Sequence, residues 1–499
     1  MNVITPSARA LLLTASVGCA LTVLDSNLIG IALPLIARDF GASFAETAWV
    51  VSAFLLSFSA LLLPAGSIAD RYGRRRVFLA GTVAFGLGAL ACGLAPSPAA
   101  LYLARGVQGA AAAFLLAPAL AIIGHAFHGG AARDRAWAIW GAMMGLTMLL
   151  APLLGGMLVA RFGWRAAFLV NLPICAALCA ATLAFIDESR EERTRRLDPA
   201  GILLFATLMF GLTWCLISGQ GQGWTSASAM VGLGVGLAAL ALFVAVERRQ
   251  VEPMLDLGLF RDPRLVGGVW AMLAYAACAQ VMASLLPLLL QNGVGYAPVA
   301  AGIAMLPFGV AMFVFPHVGR ALGRRIEPPE ILLLGLLVVA LGDALAGWGA
   351  RTGALAAMLA GMAAIGAGGG LLNGETQKAI LGVMPRELAG MGAGVSTTAR
   401  FSGVLLGFAA LSGIMAMSAQ RRLGDVPEAF AQAVVAGDLE TASAGLPGTA
   451  PSDALVVARA AYMGGFSTAL FAAAAVAAIS AALVWRLTRA NPARRACSP

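Results

Sequence analysis

An all-α polytopic membrane protein that crosses the bilayer fourteen times is the fold class this sequence predicts, on three observations. The 499 residues are 60% hydrophobic and 11% charged, whereas soluble domains run at roughly 45–50% apolar and 25% charged. The apolar residues are grouped into runs close to the about 20 residues that a spanning helix needs. The basic residues fall between those runs with a strong bias to one side.

Cutting the chain where charges or Gly/Pro clusters interrupt the apolar runs places six spans first. They are Leu11 to Leu33, Ala48 to Gly66, Val77 to Leu94, Ala99 to Gly124, Ala136 to Val159 and Ala166 to Phe185. The run after Arg9 is too long for a signal-peptide core and reads as a retained span. Beyond an arginine-rich stretch come Ala200 to Ser218 and Met230 to Val246. The last six are Leu265 to Leu290, Val299 to Val318, Ile331 to Trp348, Ala354 to Ile380, Gly390 to Met417 and Ala460 to Val484. The predicted organisation is an N-terminal six-helix bundle over 1–185, two inserted helices with flanking loops over 186–264, a C-terminal six-helix bundle over 265–485 and a basic tail over 486–499. The stretch 418–459 is the one sizeable outer loop; a solvated connector is favoured there over a short amphipathic helix from Pro427 to Val435.

The net charge is +9, and a soluble chain so basic would suggest nucleic acid. Here 24 of the 33 basic residues fall on one side of the alternating loops and 7 on the other, with Arg105 and Arg400 inside spans. Arginines beside short cytoplasmic loops set orientation, so the bias accounts for the charge without nucleic acid and predicts a multi-pass inner-membrane protein with both termini cytoplasmic.

Several chemistries are missing. The sole lysine, Lys378, follows Gln377, so no phosphate-cradling G-x-x-x-x-G-K-[ST] exists, and neither H-E-x-x-H nor G-x-S-x-G occurs. The G-x-G runs at Gly232 to Gly236 and Gly366 to Gly370 lie inside spans and read as helix packing. His125 and His128 have no third ligand nearby and read as a structural or interfacial pair rather than a metal site. The seven cysteines form no C-x-x-C, and no disulfide framework is predicted. The expectation is a protein without cofactor or metal, not an enzyme, whose power source is an ion gradient.

Charges inside spans are costly and functional by default. Asp25, Arg105, Asp343, Glu375 and Arg400 qualify. Asp25 lies about 12 Å from the outer end of its predicted span and Arg105 about 9 Å from the outer end of its own, at 1.5 Å per residue. The matching depths predict that they pair, and a protonation switch at Asp25 is favoured over a static ion pair. Asp343 is equally a second proton site, a cation-recognition site, or a carboxylate reaching water near the outer interface. Glu375, three residues before Lys378, reads as a structural pair, and Arg400, near a midplane, as a cavity residue.

One loop is distinctive: Gly66-Ser67-Ile68-Ala69-Asp70-Arg71-Tyr72-Gly73-Arg74-Arg75-Arg76. It closely resembles the G-x-L-A-D-R-x-G-R-[RK] loop of the major facilitator superfamily. Asp70 there is placed to cap a helix N-terminus and meet arginines, as a cytoplasmic latch in which Gly66, Arg71, Gly73 and Arg74 take part. Leu24-Asp25-Ser26-Asn27 through Pro34 is similar to the first-span motif of the fourteen-helix drug:proton antiporters of that superfamily, with Asn27 and Gly30 replacing its threonine and asparagine. Arg105-Gly106-Val107-Gln108-Gly109 resembles their R-x-x-Q-G motif, whose arginine is implicated in proton transfer. Trp164-Arg165 with Phe168, Asn171 and Pro173 is similar to W-R-x-x-F-x-x-N-x-P, and Pro253 to Phe260 looks like the segment after the two extra helices. Gly319 to Arg325 is a weaker echo of the Asp70 loop. In the fifth-span antiporter motif Pro152, Gly155 and Gly156 remain, while Thr147 and Ala151 occupy two glycine positions; these are still small enough for close packing.

The resemblance covers the chain from the first span to about Gly407. It implies a major facilitator fold, two six-helix bundles plus two central helices, that rocks around a midplane cavity. It implies export of a drug or other amphipathic small molecule against protons, coupled through Asp25 and Arg105. Proton-coupled uptake or metabolite exchange on the same fold, and a non-transporting membrane sensor, are the alternatives. The partners expected are a small-molecule substrate, protons and the lipid bilayer; no periplasmic adaptor is specified by the sequence.

Overall fold

The computed structural model describes residues 6–127, 130–190, 198–250, 255, 257–384, 389–424, 426–439, 442 and 450–489. His128, Pro253 and the tail beyond residue 489 lie outside the described residues. Among those described, fourteen helices are long and apolar enough to cross a membrane. Spans one to six are Ser7–Phe40, Ala45–Tyr72, Arg74–Gly93, Pro98–Ala126, Arg135–Phe162 and Arg165–Phe185. Spans seven and eight are Pro199–Gly219 and Ala227–Glu247. Spans nine to fourteen are Pro263–Gly293, Pro298–Leu322, Pro328–Thr352, Leu355–Val383, Met391–Leu423 and Pro451–Arg489. Helices are what a lipid core demands, because every backbone N–H and C=O there must be satisfied within its own segment.

Most helices overrun the apolar stretches that announce them. Span one continues through Arg38 and Asp39 to Phe40 and stops at Gly41, whose φ of +57° breaks the helical path. Hydrocarbon thickness sets how much of a helix must be apolar, while turn chemistry sets where it ends. The starts are chemical too. Ser43 opens span two in a capping box, its hydroxyl accepting from Glu46 N and its N–H donating to the Glu46 carboxylate at 2.8 Å. Ser97, Asp198 and Asp262 cap spans four, seven and nine, each followed by a proline at the first helical position.

Span one runs beside spans four and five, and span two against span four; in the last six, span eleven packs on spans twelve and fourteen. The two groups meet where span one touches span nine, span two touches span thirteen and span five touches span ten. Span seven lies across the seam between spans two and thirteen, with Trp49 and Phe210 rings 5.9 Å apart. Small residues permit these approaches. A Cβ on Gly211 would stand 2.5 Å from Gly236 N, and one on Gly368 would stand 2.7 Å from Gly335 O, so both G-x-G runs serve packing. Leu87, Leu203 and Ile479 are each more than 60% exposed; such a surface belongs against lipid.

The long far-side loop is not a bare connector. Glu428–Ala436 forms a helix that buries Phe430, Ala431 and Val434 and rests on spans two, thirteen and fourteen. Its apolar stripe at three- and four-residue spacing needs cover, and the ends of spans two and thirteen supply it. Span thirteen reaches Leu423 and span fourteen starts at Pro451, so the loop is also shorter than the apolar runs suggest.

Candidate functional site

The Ser97 cap starts span four so that Arg105 and Gln108, three residues apart, share one helix face. Across from them, the last turn of span one is tied down: Asp39 Oδ2 accepts from Trp164 Nε1 and from Arg165 NH1, each at 2.9 Å. That clamp fixes the start of span six, which then carries Phe168 and Asn171 inward.

The three spans converge on Asp25. Its Oδ2 receives Arg105 NH1 at 2.6 Å, and its Oδ1 receives Gln108 Nε2 at 3.0 Å and Asn171 Nδ2 at 2.8 Å. Arg105 NH1 also donates to Gln108 Oε1 at 2.8 Å, and its Nε donates to the Val50 carbonyl of span two at 3.2 Å. The guanidinium lies 4.1 Å from the Phe54 ring centroid and 5.7 Å from that of Phe168. Asp25 is 2% and Arg105 1% exposed. The predicted pair is thus formed, net neutral and fully desolvated, with aromatic faces adding cation–π attraction. One acceptor in the cluster, Asn171 Oδ1, has no hydrogen-bond partner.

The loop between spans two and three is ordered differently from the expectation at one atom set. Asp70 Oδ1 accepts from Arg74 Nε at 2.8 Å and pairs with its NH2 at 2.7 Å, while Arg71 stacks by Tyr72. Asp70 does not cap span three. Glu188 does, its two oxygens accepting from Arg75 N at 3.1 Å and Arg76 N at 3.2 Å, and Arg74 N donates to Ser189 O. Asp70 sits in the last turn of span two, four residues from Arg74, so the guanidinium takes it first. The orphan N–H groups that open span three fall to the segment after span six. Gly73 adopts φ +111°, and a Cβ there would lie 2.6 Å from the Glu188 carboxylate. Gly66 meets only Ala117, 4.0 Å away.

Pro152, Gly155 and Gly156 lie where span five meets spans one and ten. A Cβ on Gly155 would stand 2.8 Å from Leu28 Cδ2, one on Gly156 would strike the Pro298 carbonyl, and one on Gly302 would stand 2.6 Å from Pro152 O. On the same far side, Gln291 Nε2 donates to Ile31 O at 3.1 Å, and a Cβ on Gly30 would stand 3.0 Å from Ser284 Cα. The two groups of six are sealed together there.

In the second group, Arg400 is half-buried and held by uncharged acceptors: Gln280 Oε1 at 2.8 Å, Asn373 Oδ1 at 2.6 Å and the Tyr275 hydroxyl at 3.1 Å. Gln280 closes a π-helical turn, Ala276–Gln280, in span nine. Asp343 is fully buried with neither oxygen hydrogen-bonded, which removes the reading in which it reaches interfacial water. Glu375 pairs with Lys378 at 2.5 Å, as its spacing suggests.

In the sequence, Gln108 and Asn171 stand out only as letters of the resembled motifs. Gln108 was readable as a partner from its spacing to Arg105; Asn171, 146 residues from Asp25, was not. Glu188 and the partners of Arg400 carried no local signal.

Fourteen apolar helices, twelve of them in two interlocking groups of six, with a desolvated charge cluster inside the first, define a multi-pass membrane protein built like a transporter. A family model described as Major Facilitator Superfamily matches residues 15–408. The chain is 34% identical over 496 residues to multidrug resistance protein Stp of Mycobacterium tuberculosis, covering 95% of this chain and 91% of that one. It is 31% identical over 509 residues to the tetracenomycin C resistance and export protein of Streptomyces glaucescens, covering 97% and 92%. The crystal structure of a peptide transporter POT in complex with sulfate superposes with a TM-score of 0.62 over 96% of this chain and 95% of that one, at 14% identity, a likeness of fold. The chain belongs to the Major Facilitator Superfamily, and it is a transporter of small molecules rather than an enzyme.

Proposed function

We propose that this chain is a proton-driven exporter of drugs or other amphipathic small molecules, working by alternating access in the inner cell membrane with both termini cytoplasmic. The observation that carries the reading is the buried Asp25 cluster. A proton arriving on Asp25 cancels its charge and leaves Arg105 desolvated without its counter-ion, which is strongly unfavourable. The cluster therefore has two arrangements, one for each protonation state, and spans one, two, four and six all contribute to it. Because span one also lines the seam against span nine, a change of arrangement at Asp25 acts on the contacts that seal the far side. Each proton entering down a potential of 100 mV supplies about 2.3 kcal/mol before any pH gradient is added. The relatives named for multidrug resistance and for tetracenomycin C export support outward movement and an amphipathic cargo.

In the remaining sites, Asp70 and Arg74, with Glu188 across the loop, form the cytoplasmic latch, and Pro152, Gly155 and Gly156 form the sliding contact between the halves. Energised cells of an efflux-deficient bacterium test the reading. Cells making the wild type should expel ethidium, expulsion should stop when the proton gradient is collapsed, and equally inserted Asp25→Asn should leave the dye inside. Inward, proton-assisted accumulation by the wild type would reverse the assigned direction.

A further inference from the structure

We propose that Asp343 is a second proton-carrying carboxylate of this transporter, holding its proton while the far side is sealed and releasing it when the π-helical turn Ala276–Gln280 re-registers. The inference rests on the reading of the chain as a proton-coupled exporter. Asp343 lies about 22 Å from the Pro328 end of span eleven and about 14 Å from its Thr352 end, at 1.5 Å per residue, deep in the bilayer.

Its environment differs from that of every other buried acid. Among the described residues the buried acidic side chains are Asp25, Asp198, Glu247, Asp343 and Glu375. Asp25 has three donors, Asp198 caps span seven, Glu247 accepts from Leu255 N and Glu375 pairs with Lys378. Asp343 has no partner on either oxygen. The elements packed against it are spans nine, twelve and fourteen. Span nine presents the Cys278 thiol within its electrostatic reach. Span twelve has its charges, Glu375 and Lys378, paired together near the cytoplasmic end. On span fourteen, Arg489 reaches Glu330 at the cytoplasmic end of span eleven, and Tyr462 binds Asn292. Among the described residues no cation compensates Asp343, so an anion there would be isolated in a dry site, and the pocket accepts the neutral acid instead.

The adjoining turn supplies a way out of that state. Cys278, within electrostatic reach of Asp343, and Gln280, which binds Arg400, belong to the same five-residue π-turn, and spans eleven and thirteen both pack on it. An acid without a base and a base without an acid therefore flank one turn. A π-turn is an extra residue wound into a helix and is found at functional sites; moving it along span nine rotates the groups it carries. That movement admits water and the field of Arg400 to Asp343. The carboxyl O–H then breaks, the proton passes to water and the bonding pair stays on the carboxylate, with no redox change.

Infrared spectra of the purified full-length protein in nanodiscs test the protonation directly. A carbonyl-stretch band of a carboxylic acid free of hydrogen bonds should be present at neutral pH in wild type and Asp25→Asn and absent in Asp343→Asn. Its absence from wild type, or its survival in Asp343→Asn, overturns the proposal. Asp343→Leu gives a second variant with the same expected loss of the band. In proteoliposomes, Asp343→Asn should still move ethidium but with fewer protons per dye than wild type; an unchanged ratio also overturns it. A wild type that moves no ethidium counts against the export reading alone, and the band then decides Asp343 by itself.

Discussion

Two carboxylates lie buried in the two groups of six spans, and the protein treats them in opposite ways. Asp25 is met by an arginine and two side-chain amides contributed by spans four and six. Asp343 is fully buried with no hydrogen-bond partner on either oxygen, while Arg400, a half-buried cation of the same group, is held by a phenol and two amides. A charge pair completed within one group is stable until a proton cancels one partner; an acid and a base kept apart by a π-turn have no such pair to lose. In the proposed reading the first cluster switches by losing a completed ion pair, and the second by exposing a charge it does not carry while sealed.

Removing one partner of a completed pair should give the largest effect. Arg105→Ala should lower stability by about 3–5 kcal/mol, the cost of leaving a buried charge unpaired, seen as a drop in the unfolding midpoint in detergent. If Asp343→Asn cost as much, the comparison would break. Next come the contacts that seal the halves: Gly156→Ala drives a methyl into the fixed Pro298 carbonyl, costing about 1–3 kcal/mol as overpacking does, with slower export. Gly155→Ala meets side chains alone, the end of Leu28 at 2.8 Å and Ile31 at 3.7 Å, and should be milder. Asn171→Ala and Gln108→Ala each remove one donor from Asp25 and should cost about 1–3 kcal/mol. Asp343→Asn should cost only about 1 kcal/mol, since an uncharged amide replaces an uncharged acid and adds one unpaired buried donor without breaking an ion pair. Smallest is Glu375→Gln, at most about 1 kcal/mol, because the buried side chain becomes neutral while its partner Lys378, 57% exposed, is left in water rather than desolvated.

The sequence showed the first cluster far better than the second region. Asp25 and Arg105 could be paired from depth alone, since two charges equally far below the same surface, one on a descending and one on an ascending helix, have little else to meet. Gln108 followed from helix geometry. Asn171 did not, because the clamp that aims it, Asp39 on Trp164 and Arg165, links residues more than 100 positions apart. The π-turn Ala276–Gln280 has no residue signature: it reads as ordinary apolar helix, and the extra residue shows only in the backbone bond from Val281 N to Ala276 O, five positions apart. The helix Glu428–Ala436 was outweighed in the sequence by its Gly- and Pro-rich surroundings, although Phe430 and Val434 already marked its buried face. Number, order and rough limits of the spans were legible because hydrocarbon thickness imposes them; partner choice was not, because tertiary contacts impose that.

The central claim is that Asp25 couples proton entry to substrate exit. It is tested most directly in proteoliposomes loaded with ethidium, by comparing concentrative transport under an imposed pH gradient with dye exchange in its absence. The account predicts that Asp25→Asn keeps exchange and loses concentration against the gradient. An Asp25→Asn protein that still concentrates ethidium as the wild type does would contradict it.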